Sequence, residues 1–308
     1  MFECYRSLFL YAVTPVHMGA GTGLGLIDSP IQREKHTEFP MIAGSGLKGA
    51  VRHALSFDDD KKGDLVSRYF GPDAGSSDLG AGAVSFTDAQ IVLYPVQNPK
   101  GAFSYVTSPL ALFRMERLLN VAGVGMPAIS LSSLEAGKAL VPDESLLFNK
   151  KELVLESLNF VGEVNETVKK VANWLSENAL PADDTHNYFR GKIKESLVVL
   201  SDTDFSYLVR TTTLVEPHVR IDPETGTASD GGLFYVENLP PESLLISLVM
   251  ASRERPVKKT PDGGLHPADK VIEWVTSALS ERLLQVGGDA TTGRGQILCH
   301  FANSKENA

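Results

Sequence analysis

Residues 7–55 read SLFLYAVTPVHMGAGTGLGLIDSPIQREKHTEFPMIAGSGLKGAVRHAL. The segment 7–14 is a short apolar run closed by Pro15, the pattern of a strand. In 45–55, Leu47, Ala50, Val51, Ala54 and Leu55 recur at helical spacing behind Ser45, a candidate N-cap. Between them lies a long connection, 17–40, with glycine at 19, 21, 23 and 25. A connection of that length inside a domain usually has a task of its own or is disordered.

Working outward, 58–82 is rich in Asp and Gly and is expected to be a surface loop, and 83–93 (AVSFTDAQIVL) a strand. The C-terminal part repeats the order. Residues 244–251 (LLISLVMA) predict a buried strand. Residues 268–285 predict an amphipathic helix with Val271, Ile272, Val275, Leu279 and Leu283 on one face, stopped by Gly287-Gly288. Residues 295–301 (GQILCHF) predict a last strand. Strand–helix–strand twice over is the βαββαβ plan of ferredoxin-like or RNA-recognition-motif-like folds, an α+β class. The expected division is a palm of 1–93 with 244–308, an inserted mixed subdomain at 94–207, and a hairpin region at 208–243. Within the insertion, 109–121 and 167–175 read as helical and 145–155 as extended. Residues 222–226 (DPETG) are strong turn chemistry between two apolar, β-branched or aromatic arms, which predicts a β-hairpin, either projecting, because its tip is polar and small, or an ordinary surface hairpin.

The 308 residues are 43% hydrophobic and 22% charged, enough for a sizeable core and against a disordered chain. No run approaches a membrane span, and the N-terminus lacks the basic and apolar regions of a signal peptide. Cys4 and Cys299 are too few for a disulfide framework, so two free thiols in a cytoplasmic protein are the simpler expectation. The net charge of −9 argues mildly against nucleic-acid binding. Residues 1–56, however, hold five basic and four acidic side chains, so the negative excess lies beyond them.

Walker, zincin, C-x-x-C and G-x-S-x-G motifs are absent, and the alternating glycines do not fit G-x-G-x-x-G. Three features remain. The glycine loop 17–33 allows close backbone approach to a ligand and carries His17 and Asp28. Asp28 reads either as a turn aspartate beside proline or as a carboxylate for a metal ion or proton transfer. His17 reads either as a loop histidine or as part of the same chemistry. In the helix at Ser45, Lys48 and Arg52 are spaced i,i+4 beside a helix N-terminus, either a solvated face or a cradle for a nucleotide backbone. The third is GGDATTGRG at 287–295, either a helix–strand link or a second ligand loop.

Together, VTPVHMGAGTGLGLIDSPIQRE at 13–34 and FPMIAGSGLKGAVR at 39–52 resemble the RAMP superfamily of CRISPR-associated proteins, most closely the backbone subunit of Cmr-type (type III-B) effector complexes. VSFTDA at 84–89, RIDPETG at 220–226, LFYVENLP at 233–240 and GGDATTGRG at 287–295 extend the resemblance over residues 7–301. It implies a modified RNA-recognition-motif palm with a protruding thumb hairpin. Copies of such a subunit stack along a CRISPR RNA with other Cmr-type subunits and cut complementary target RNA at regular intervals. The implied chemistry is 2′-OH attack on the adjacent phosphate, giving 2′,3′-cyclic phosphate and 5′-OH ends. The implied cofactor is a divalent metal, Mg²⁺ or alternatively Mn²⁺, with Asp28 as its ligand and the main catalytic residue. His17 is implied to position RNA or protonate the leaving group, with Glu237 a weaker catalytic candidate. Ser45, Lys48, Arg52, Arg33, Arg220, Gly293, Arg294 and Gly295 are implied RNA contacts. Alternatives are a guide-binding scaffold that does not cut, the equivalent Csm-type (type III-A) subunit, and a stand-alone processing ribonuclease. Between 207 and 245, Arg210 and Arg220 face six acidic residues, so the hairpin is expected to engage RNA by wedging and stacking rather than by charge.

Overall fold

Strand β1 (Cys4–Ala12) is buried on both faces along its second half, which is why 7–12 reads as an unbroken apolar run. The computed structural model that contains it describes residues 1–56, 60–72, 80–131, 133–255 and 264–302, and of 60–64 the backbone alone. After β1 come β2 (Met41–Ile42), α1 (Gly44–Ser56), α2 (Asp60–Phe70), β3 (Val84–Phe86), β4 (Ala89–Asn98) and β5 (Ala102–Thr107). The middle of the chain adds α3 (Pro109–Val121), β6 (Lys138–Val141), β7 (Glu152–Leu155), β8 (Leu158–Val164), α4 (Glu166–Asn178), α5 (Asn187–Ser196), β9 (Leu197–Leu200) and α6 (Asp202–Thr211). The last part is β10 (Leu214–Ile221), β11 (Ala228–Asn238), β12 (Leu244–Ala251), α7 (Ala268–Leu279), β13 (Leu283–Gln285) and β14 (Gln296–Phe301).

β1 pairs antiparallel with β12 on one side and β14 on the other, and β12 continues to β4. The order β14-β1-β12-β4 is that of a ferredoxin-like sheet, as the repeated strand–helix–strand pattern predicts. Beyond β4 the same sheet runs on through β5, β9, β6, β8 and β7. Leu8 and Leu10 point to one face, where Leu47, Val51 and Leu55 of α1 and Val271, Val275 and Leu279 of α7 complete the core. Phe9 and Tyr11 point to the other. In an RNA-recognition motif that second face lies open. Here Leu112, Met115 and Leu119 of α3 and Val168, Val171 and Leu175 of α4 cover it, and Phe9 meets Trp174 edge-on. Phe9 and Tyr11 are thereby buried and closed to a ligand.

Several local expectations change. Residues 60–70 of the expected 58–82 loop form α2, while 57–59 and 73–79 lie outside the described residues. The strand expected at 83–93 is two, β3 and β4. At the break, the Thr87 hydroxyl accepts the Leu248 N–H and Asp88 turns away to cap α1. Ser45 is not the N-cap of α1: the helix begins at Gly44, whose N–H donates to Asp88 Oδ1 at 2.7 Å, and Ser45 is exposed in the first turn. α7 stops at Leu279, not at 285. Glu281 takes a left-handed backbone (φ 57°), and Leu283–Gln285 become a strand beside β14. Of 145–155, only Glu152–Leu155 is extended, while Glu144–Leu146 is a 3-10 turn.

Strands β10 and β11 form a separate two-stranded sheet, the hairpin predicted around DPETG. Asp222 Oδ1 accepts the N–H groups of Glu224 and Thr225, which closes the turn and holds this carboxyl below its ordinary value. The register places Val215, Pro217, Val219 and Ile221 on one face with Leu233 and Tyr235. Val215, Val219, Ile221, Leu233 and Tyr235 stand 38–56% exposed, so the hairpin presents an uncovered apolar surface.

Candidate RNA-processing site

The glycine loop folds back on itself as an irregular ribbon. Gln32 N–H bonds to Met18 O, Ala20 N–H to Pro30 O, and Gly23 N–H to Asp28 O. Leu24 and Leu26 stand in solvent at its tip. The ribbon is fastened to β11 at the root of the hairpin. Ser29 N–H donates to Tyr235 O, and Glu237 N–H to Ser29 O. The Tyr235 N–H donates to Asp28 Oδ2 at 2.8 Å. Asp28 is exposed, and its second carboxylate oxygen has no partner among the described residues.

His17 approaches the same strand two residues further on. Its Nδ1 lies 2.7 Å from Glu237 O, a carbonyl that can only accept, so Nδ1 carries a proton and Nε2 is the free nitrogen. Asp28 and His17 thus hang on one strand, roughly 7 Å apart along it. The third loop closes over His17. Gly288 N–H donates to His17 O at 2.9 Å. Gly287 has φ +83°, and a Cβ there would stand 2.3 Å from the His17 carbonyl oxygen, so the contact requires glycine.

Glu237 itself turns inward. It is 3% exposed, and its carboxylate accepts from Arg33 (2.5 Å), the Thr213 hydroxyl (2.8 Å) and the Ile31 N–H (3.0 Å). That leaves it no role at a reacting atom; it is a positioning residue that ties the ribbon to the hairpin root. Arg33 is correspondingly not turned to a ligand: it also donates to the carbonyls of Glu38 and Val209. Arg294 is likewise spent. Its guanidinium pairs with Glu216, which also accepts from Asn238. Gly293 and Gly295 give their N–H groups to Ala290 O and Pro15 O, bonds that hold the exposed 287–293 turn in place beside His17.

The cationic face expected on α1 is also redirected. Lys48 Nζ donates to Val84 O at 2.9 Å and lies over the Phe70 ring. Burial, and secondarily the nearby Arg52 charge, lowers its pKa below the ordinary lysine value. Arg52 donates to Pro72 O. Arg220 stands exposed on β10. Sequence reasoning missed Thr213, Glu216 and Asn238, which have no local signal because their partners lie 24, 78 and 22 residues away.

Among the described residues no group of three His, Cys, Asp or Glu side chains is placed to hold a metal ion. Asp28 offers one free carboxylate oxygen. That donor set does not make a protein cage; it does fit an ion such as Mg²⁺, which keeps waters and takes one or two carboxylates with substrate phosphates.

A family model described as the RAMP superfamily matches residues 9–298. The chain is 35% identical over 290 residues to the CRISPR system Cmr endoribonuclease Cmr4 of Pyrococcus furiosus, spanning 94% of this chain and 92% of that protein. A crystal structure of oligomeric Cmr4 from Pyrococcus furiosus superposes with a TM-score of 0.72 at 27% identity, covering 97% of both chains. A cryo-EM structure of the type III-B Cmr-beta complex bound to cognate target RNA contains a chain of the same fold, with a TM-score of 0.72 at 20% identity, covering 97% of this chain and 98% of that one.

Proposed function

The chain belongs to the RAMP superfamily, and on that premise we propose that it is a CRISPR RNA-binding backbone subunit of a Cmr-type effector complex which cuts bound target RNA. The observation that carries the reading is the pair Asp28 and His17, both hung on β11 where the apolar hairpin leaves the body of the protein. The relative at 35% identity is named an endoribonuclease, and the similar crystal structure is of an oligomer. Its partners are then CRISPR RNA, complementary target RNA, further copies of itself and other Cmr-type subunits. No helix among the described residues is long and apolar enough to cross a membrane.

In this proposal the exposed face of Val215, Val219, Ile221, Leu233 and Tyr235 wedges against the guide–target duplex and unstacks a nucleotide. The displaced ribose presents its 2′-OH to the free oxygen of Asp28. The 2′-oxygen attacks the adjacent phosphorus, its proton passes to Asp28, and the P–O5′ bond breaks. His17, held by Nδ1–H on Glu237 O, enters this step as the imidazolium, gives its Nε2 proton to the departing 5′-oxygen and is left neutral. The products are a 2′,3′-cyclic phosphate and a 5′-OH. A divalent cation, Mg²⁺ or Mn²⁺, is part of the proposal; Asp28 would hold it through the ion's water shell, leaving its free oxygen for the 2′-OH proton, and the ion would supply charge neutralisation at the phosphate.

The test is cleavage of end-labelled target RNA by the reconstituted complex with Mg²⁺, parent against Asp28→Ala. A ladder of regularly spaced cuts is expected, lost in the variant with guide RNA retained. A second reading, a scaffold that does not cut, is favoured by the structural bond between Asp28 and the Tyr235 N–H. An unchanged ladder in Asp28→Ala, or loss of guide RNA along with cutting, would decide for a structural Asp28.

A further inference from the structure

A cleft of about 830 Å³, lined by neither Asp28 nor His17, lies between the 34–41 segment, the start of β4 and one face of α3. Its volume is in the range of small-molecule sites. Leu110, Phe113 and Arg117 follow one another at i, i+3 and i+7 on α3, so one helix face lines it. Its charges are unequal in what they have left to give. Glu34 is consumed by Arg114 at 2.7 Å and by the Thr37 hydroxyl, whereas Asp88 is exposed and accepts the Gly44 N–H with Oδ1 alone, so two free cations face one carboxylate oxygen without a partner among the described residues. Arg114 is consumed in turn by Glu34 and His36. Lys35 and Arg117 make no ion pair or hydrogen bond among the described residues, and both are exposed. Phe113 is 41% exposed beside them. Gln90 also lines the cleft, with its side-chain oxygen buried and without a hydrogen-bond partner among the described residues.

Two free cations beside an uncovered aromatic ring in one concavity are the complement of a nucleotide unit, its phosphates and its base. We infer that this cleft is a second RNA contact, taking one nucleotide of a single strand with its flanking phosphates on Lys35 and Arg117 and its base on Phe113. The inference rests on the proposed RNA-binding function and places a second RNA contact at residues that include neither Asp28 nor His17.

The test uses the full chain and a fluorescent single-stranded RNA, with affinity measured across a salt series. Lys35→Ala/Arg117→Ala is expected to weaken binding about tenfold and to flatten the log–log salt slope by about 1.4, two phosphates at roughly 0.7 each. Phe113→Ala is expected to weaken binding at least about fivefold with the salt slope unchanged. Lys169→Ala/Lys170→Ala, on the exposed side of α4, removes the same charge elsewhere and is expected to leave both quantities near the parent values. Unchanged binding in the cleft variants, or an equal loss in the α4 control, overturns the inference while leaving the functional reading standing. A changed oligomeric state with unchanged RNA affinity overturns it too and reassigns the cleft to contact between copies. A parent chain that binds no RNA defeats the functional reading, and this inference with it.

Discussion

Glu237→Ala removes the residue that joins the glycine ribbon to the hairpin root. The Arg33 guanidinium, 14% exposed, is left charged with two carbonyls and no counter-ion. The Ile31 N–H and the Thr213 hydroxyl also lose their acceptor. Breaking a buried ion pair from one side costs about 3–5 kcal/mol, because the survivor stays desolvated and unpaired. Taking about 4 kcal/mol, and about 2 °C per kcal/mol for a chain of this size, the melting temperature should fall by about 8 °C. The assay is thermal melting with a parallel urea titration. Replacing both partners, Arg33→Met with Glu237→Met, removes the stranded charge and should cost less than Glu237→Ala alone. A melting temperature within 2 °C of the parent by roughly the measurement error, or a double variant less stable than the single, would refute the assignment of Glu237 to positioning. So would Glu237→Gln with parental stability and no cleavage, which would return Glu237 to the chemistry.

Gly287→Ala places a Cβ against the His17 carbonyl at a left-handed backbone position; it should displace His17, slow target cleavage at least about tenfold, and leave RNA affinity close to parental in a binding titration. Glu242 has a buried Oε2 with no partner, and burial raises its pKa from the ordinary 4.5 to about 7. The folded chain therefore keeps a proton that the unfolded chain has released, and the contribution of this group to stability is complete below about pH 4.5 and lost as pH rises through about 7. Urea midpoints at pH 4.5, 6 and 8 should show Glu242→Gln gaining on the parent as pH rises. His300, lowered to about 4 by burial and then by the His186 and Arg190 charges, works the opposite way in the same window, so the difference between variant and parent is the quantity to read.

Where each element could be found by its own residues, the sequence sufficed. The apolar run at 7–12 gave a strand buried on both sides, 244–251 another, and DPETG a hairpin turn closed by its own Asp222. The βαββαβ order followed, because sheet order is strongly constrained once strands and crossovers alternate in that way. Helix ends were less legible. Leu283 and Leu284 continue the apolar period of α7, yet pairing with β14 takes them into a strand. α1 is capped from 44 residues away by Asp88 rather than by the neighbouring Ser45.

The candidate site divides along the same line. His17, Asp28 and the glycines were visible as a loop built for close approach, and both side chains do meet one strand. Which basic residues remain free to meet a ligand was decided only in three dimensions. Arg33 reads as a surface cation until Glu237, 204 residues on, draws it inward, and Arg294 until Glu216 does the same. Lys35, Phe113 and Arg117, unmarked in the sequence, come together through the packing of α3 beside the 34–41 segment. A one-dimensional pattern records what a side chain can do; whether that capacity is spent inside the protein or left for a ligand depends on partners that only the folded chain brings within hydrogen-bonding distance.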